Sequence, residues 1–183
     1  MPQRQAWVML LALCLGFTLS QSYRTLAAIL ALPLQQAFGL DAGELGLLAG
    51  TFHFTFGAMQ VVMGVGLDLH GVRRTVLLSF PLAVLGAGLS VVAQGYGQLV
   101  LGQALIGVGC APAFLACTVF IAQRFPAAAF AATSGLVMGL SGVGLLLTGT
   151  PLAWVVDTWS WRAVFGVLAL ASVGLRTLSP VMG

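Results

Sequence analysis

The sequence predicts an all-α membrane protein of six transmembrane helices, and three observations carry that expectation. Of the 183 residues, 60% are hydrophobic and only 6% are charged, with a mean hydropathy of +1.06. A soluble domain carries about 25% charged residues, so this chain lacks the polar groups to coat a globule in water. Turn and breaker residues cut it into six apolar runs, each near the ~20 residues that cross a bilayer. The few charges gather mostly between those runs.

The first span is expected over about Trp7–Leu32, closed by Pro33. Arg4 and the apolar run behind it resemble a signal peptide, but the run continues past Ser20 to Leu34 without an Ala-x-Ala site. It reads as a retained span. Span 2 covers about Glu44–Leu67, and Asp41 with Glu44 has the spacing of a capping box at its start. Span 3 runs over about Thr75–Ala93, and Gly95-Tyr96-Gly97 marks the turn that follows. Span 4 covers about Leu99–Ile121 and ends at Phe125-Pro126. Span 5 covers about Thr133–Val156 and span 6 about Trp161–Leu175. No segment reads as a strand.

The arginines set the expected direction. With a cytoplasmic N-terminus, the inner segments hold Arg4, Arg73, Arg74, Arg124 and Arg176, and the outer loops hold only Arg162. That positive-inside bias predicts both termini in the cytoplasm, and the expected location is a bacterial inner membrane. Seven arginines without a lysine, scattered this way, make no nucleic-acid surface. Cys14, Cys110 and Cys117 lie inside apolar runs and read as filler, neither a disulfide framework nor a metal site. No cofactor or metal is expected.

Two stripes of small residues stand out. Gly46, Gly50, His53, Gly57, Gln60 and Gly64 recur at steps of three and four, which places them on one helical face of span 2. Gly135, Gly139, Gly142 and Gly149 form a similar face on span 5, beside Gly144 and Pro151. Two readings fit: helix-packing seams, or faces that border an aqueous cavity and move against a partner. Span 1 carries Gln21 and Arg24. An arginine inside a span costs about 3 kcal/mol on insertion scales and marks a candidate site, the alternative being a side chain that snorkels to the interface. Arg24 and His53 fall at comparable heights, so with Gln21, Gln60 and Gln103 they are candidates to line a solute cavity.

Residues 64–74 hold Gly64, Asp68, Gly71, Arg73 and Arg74, a charged turn that must sit at a membrane surface. Asp68 is placed to accept from Arg73 or Arg74 across Gly71, or to meet the N-terminus of another helix. The spacing Gly-x-x-x-Asp-x-x-Gly-x-Arg-Arg resembles the loop between the second and third spans of major facilitator superfamily transporters. Trp161-Arg162-x-x-Phe165 is similar to the family's motif at the start of the sixth span. The chain departs from the family pattern at Gly66, at Leu69, and at Gln103, where an arginine is common.

The resemblance implies one six-helix half of a twelve-helix bundle, with solute bound between two halves. It also implies a gating role for the 64–74 loop, Asp68 holding the outward-open state through contacts with the second half. The expected function is secondary transport of a small solute by alternating access. Arg24 favours an anionic one, and a proton or ion gradient is the expected drive, since no nucleotide-binding motif is present. The chain is expected to be either a truncated product or a half that acts with a second half or with its own copy. A non-transporting fragment or subunit is the alternative. An intramembrane Ser–His hydrolase is disfavoured, because only His53 lies at depth and Ser134 lacks a Gly-x-Ser-x-Gly context.

Overall fold

The computed structural model describes residues 3–177, without the side chains at 144, 147, 148, 150 and 175–177. Expectations resting on Gly144, Thr150 or Arg176 therefore fall outside the described side chains. Among the described residues every regular element is helical. In order these are α1 (Gln3–Ile29), α2 (Ala31–Phe38), α3 (Ala42–Val91), α4 (Tyr96–Cys110), α5 (Pro112–Arg124), a 3-10 turn (Ala127–Ala129), α6 (Phe130–Thr158) and α7 (Trp161–Thr177). Three stretches are long and apolar enough to cross a membrane: Gln3–Ile29, Ala42–Val91 and Tyr96–Arg124. Ala127–Val143 and Trp161–Gly174 are shorter apolar helices.

The helix boundaries follow local chemistry. Pro33 does not end the first helical run. It sits in the first turn of α2, where a missing N–H costs nothing, and the run continues to Phe38. Gly39 closes it in the left-handed conformation, φ 66°, its N–H bonded to the Gln35 carbonyl. The capping box is present: Asp41 Oδ1 accepts from the Glu44 N–H at 2.8 Å, and a Glu44 carboxylate oxygen from the Asp41 N–H at 3.0 Å. The fourth predicted span is two helices, α4 and α5, parted at Ala111 because Pro112 starts a new helix. Phe125 takes an extended conformation before Pro126, as the sequence predicts, and ends α5.

α3 is 50 residues long, about twice a bilayer's need. Gly71 breaks it at φ 78°, ψ 167°, a conformation open to glycine. The chain folds back there, so that a Cβ on Gly66 would meet the Thr75 side chain at 3.3 Å. α4 lies against both arms of this hairpin. A Cβ on Gly86 would meet the Gly102 carbonyl oxygen at 2.5 Å, and one on Gly109 would overlap the Ala83 backbone. On the other arm, a Cβ on Gly107 would meet the Phe52 carbonyl at 2.7 Å. These four glycines are the closely packed seam, where backbones approach within reach of dispersion forces.

Two buried apolar clusters mark two ends. One joins Leu26, Leu34, Phe52, Leu99, Trp161 and Phe165, and the other joins Leu10, Phe17, Leu67, Cys117, Phe120 and Val137. At the first end the Tyr96 hydroxyl donates to the Glu44 carbonyl at 2.9 Å, and Phe38 stacks edge-on against Trp161 at 5.5 Å. At the second, Trp7 meets Phe125 at 5.0 Å, and Val72 packs close to Gly71's turn. α1, α3 and α6 contribute to both clusters, whereas α4 and α7 contribute to the first and α5 to the second.

Arg162 has a role that its sequence motif did not disclose. Its Nη2 donates to the Ala93 carbonyl at 2.9 Å, just past the end of α3, and its guanidinium lies 4.1 Å from the Trp161 ring centroid. A cation at a helix C-terminus satisfies an orphan carbonyl and meets the negative pole of the dipole, while the ring adds a cation–π contact. Trp161-Arg162-x-x-Phe165 thus ties α7 to the end of α3, with Trp161 and Phe165 buried.

Candidate functional site

Arg24 and His53, placed at similar heights by residue counting, touch. Arg24 Nε donates to His53 Nε2 at 3.4 Å, and His53 Nδ1 lies 2.9 Å from the Ala49 carbonyl oxygen. A carbonyl only accepts, so Nδ1 carries the proton. Nε2 faces the Arg24 donor and accepts from it. Phe52, 1% exposed, meets the imidazole edge-on at 5.4 Å and fixes its plane. Both polar residues are exposed. No carboxylate lies within 4.0 Å of Arg24 among the described residues.

The neighbour of Arg24 anchors this part of α1. Tyr23 is 1% exposed, and its hydroxyl donates to Ser172 Oγ at 3.1 Å. Ser172 in turn donates to the Leu168 carbonyl at 2.8 Å. Burying Tyr23 against α7 holds Arg24 on the open face of the helix. This pair spans 149 positions, and sequence reasoning missed it because nothing local signals it.

The span 2 stripe surrounds the pair. Gly46, Gly50 and Gly57 are exposed, Gln60 and Gly64 half-buried, and a Cβ on any of the four glycines would meet nothing within 4 Å. The same holds on α6 for Gly135, Gly139, Gly142 and Gly149. Among the described residues these seven packing candidates and Gly64 form no seam; Gly86, Gly102, Gly107 and Gly109 do. A run of glycines reads alike whether a helix lies against it or not, which is why the pattern did not separate the two. Gln21 is half-buried, whereas Gln103 is only 2% exposed and sits in the bundle.

In the 64–74 turn, Asp68, Arg73 and Arg74 are all exposed. The expected pairing of Asp68 with Arg73 or Arg74 is not formed: no ion pair within 4.0 Å joins them. An exposed pair gains at most about 1 kcal/mol, too little to hold two solvated side chains together. Among the described residues the carboxylate has no ionic partner. Among the described residues, no group of three His, Cys, Asp or Glu side chains is arranged to hold a metal.

Comparison with known proteins gives consistent results. The chain is 25% identical over 168 residues to a D-galactonate transporter of Escherichia coli, covering 90% of this chain and 38% of that protein. It is 24% identical over 170 residues to a probable sulfoacetate transporter of Cupriavidus necator, covering 91% and 39%. It is also 34% identical over 141 residues to a facilitated glucose transporter, solute carrier family 2 member 12, of Danio rerio, covering 73% and 22%. The chain thus spans less than two fifths of the length of these relatives. The Major Facilitator Superfamily profile matches residues 9–178. A helical, apolar chain that such a profile covers almost end to end is an integral membrane protein, and it belongs to the Major Facilitator Superfamily.

Proposed function

We propose that the chain forms a six-crossing half of a secondary transporter for a small organic anion, working by alternating access against a second six-helix unit. The Gly71 hairpin contributes two crossings, α4 with α5 one, and α1 with α2, α6 and α7 one each. The arginine distribution orients both termini to the cytoplasm, and a bacterial inner membrane fits the bacterial relatives. The second unit covers the open stripes of α3 and α6 and encloses a cavity.

The single observation that carries this reading is the Arg24–His53 contact. A guanidinium with no ionic partner among the described residues, held beside an imidazole nitrogen on an exposed face ringed by glycines, is a site waiting for negative charge. Two relatives bear the names of acid anions, galactonate and sulfoacetate, and the glucose transporter does not. Arg24 selects the anion. His53 couples it to protons: protonation at Nε2 turns an acceptor into a donor facing a cation, which releases Arg24 towards the solute. Gln21 and Gln60 supply orienting hydrogen bonds.

Uptake of labelled sugar acids into proteoliposomes, with the second unit present, tests this. Arg24→Gln should lower anion uptake at least a hundredfold, the loss of a charge-assisted bond worth about 3 kcal/mol. Arg24→Lys should recover part of it. His53→Gln should keep anion exchange but lose acceleration by an inward proton gradient. Unchanged uptake in Arg24→Gln would remove the site.

A further inference from the structure

We infer that the protein carries a binding site for an anionic phospholipid, separate from the Arg24–His53 face. A crevice of about 280 Å³ opens on the side of the bundle between α1, the second arm of α3, α5 and α7. Gly16, Leu77, Phe80, Val84, Ala116 and Val173 line it. Its rim is apolar: Leu85 is 62% exposed and Val173 46%. In an integral membrane protein such a rim is covered by hydrocarbon, and a groove in it takes an acyl chain, because water finds few partners there.

The headgroup preference comes from the hairpin. Arg73 lies on the helical stripe that continues through Leu77, Phe80 and Val84, at steps of four, three and four. It stands about 5–6 Å below Leu77 along the helix, and the crevice runs roughly 11 Å from Leu77 to Val84. Arg74 is the next residue, and both are exposed without an ionic partner within 4.0 Å among the described residues. A chain lying in the crevice with its head towards the membrane rim therefore brings its phosphate to two arginines. Guanidinium forks match phosphate oxygens in geometry and charge. An anionic headgroup such as a phosphoglycerol adds no cation of its own to repel them; a choline does. Gly16 keeps the wall thin: its Cβ would stand 3.9 Å from Phe80 Cε2.

The test is native mass spectrometry of the purified full chain with palmitoyl-oleoyl phosphatidylglycerol or phosphatidylcholine. Wild type should retain the phosphatidylglycerol at least tenfold better. Arg73→Gln with Arg74→Gln should reduce that to the phosphatidylcholine level. A photoreactive phosphatidylglycerol with its diazirine on the acyl chain should label peptides holding residues 12–16 and 76–85 in the unaltered protein, so the crevice is tested without a variant that could misfold. Equal retention of the two lipids, a preference that survives the double substitution, or labelling spread evenly over the exposed apolar helices would overturn the proposal. So would displacement of the lipid by millimolar inorganic phosphate, which would mark a free-anion site.

Discussion

Gly109→Ala will destabilise the bundle far more than Gly139→Ala, although both add one methyl to a glycine in a predicted span. At Gly109 the new Cβ overlaps the backbone of Ala83, with Ala83 Cα at 2.9 Å. At Gly139 it meets nothing within 4 Å. Backbone cannot rotate away, so α3 and α4 must separate, at about 1–3 kcal/mol for the overlap together with lost close contact along the seam. Gly86→Ala should behave like Gly109→Ala, since its Cβ would stand 2.5 Å from the Gly102 carbonyl. Gly139→Ala and Gly50→Ala should stay within about 0.5 kcal/mol. Thermal unfolding in detergent, followed by the exposure of the buried Cys110, reads the difference directly. Equal stability in all four variants would show that the α3–α4 seam is not the tight interface described.

Asp68→Asn will slow transport without weakening the half-bundle. The carboxylate is exposed and has no ionic partner within 4.0 Å among the described residues, so neutralising it costs the folded chain little. On the proposed reading its partner lies on the second unit, and the latch would exist in one state and break in the other. A charge-assisted contact is worth roughly 1.5–3 kcal/mol, which shifts a two-state equilibrium by about ten- to a hundredfold. Initial uptake rates, normalised to the protein in the membrane, should fall by that order while the melting temperature holds. A variant that transports at the normal rate would remove the latch.

Much of the local architecture is legible in the sequence because local chemistry decides it. Asp41 and Glu44 form their capping box within one turn, Gly71 alone allows its backbone, and Phe125 must be extended before Pro126. Arg24 and His53 could be matched in height because helices climb at a fixed rise. What escaped was set by distant partners. Tyr23 meets Ser172, and Arg162 meets Ala93, across pairings no spacing encodes. The seam glycines at 86, 102, 107 and 109 show no four-residue repeat. The long repeats on α3 and α6 suggested seams, yet they are the faces this chain leaves open. The pairing expected for Asp68 failed for another reason: exposed ions in water gain too little from each other to fix a geometry.

The central claim is that the open glycine faces border water between two units, while the Leu78–Leu85 side meets lipid. Single cysteines at Gly50, His53 and Gly57, and at Leu78, Leu85 and Leu170, can be probed in intact membranes with a charged, hydrophilic thiol reagent. The native Cys14, Cys110 and Cys117 are buried and should stay silent. The first three positions should react, faster at one end of the transport cycle than at the other, and the last three should not. Protection of positions 50, 53 and 57 equal to that of 78, 85 and 170, in every state, would contradict it.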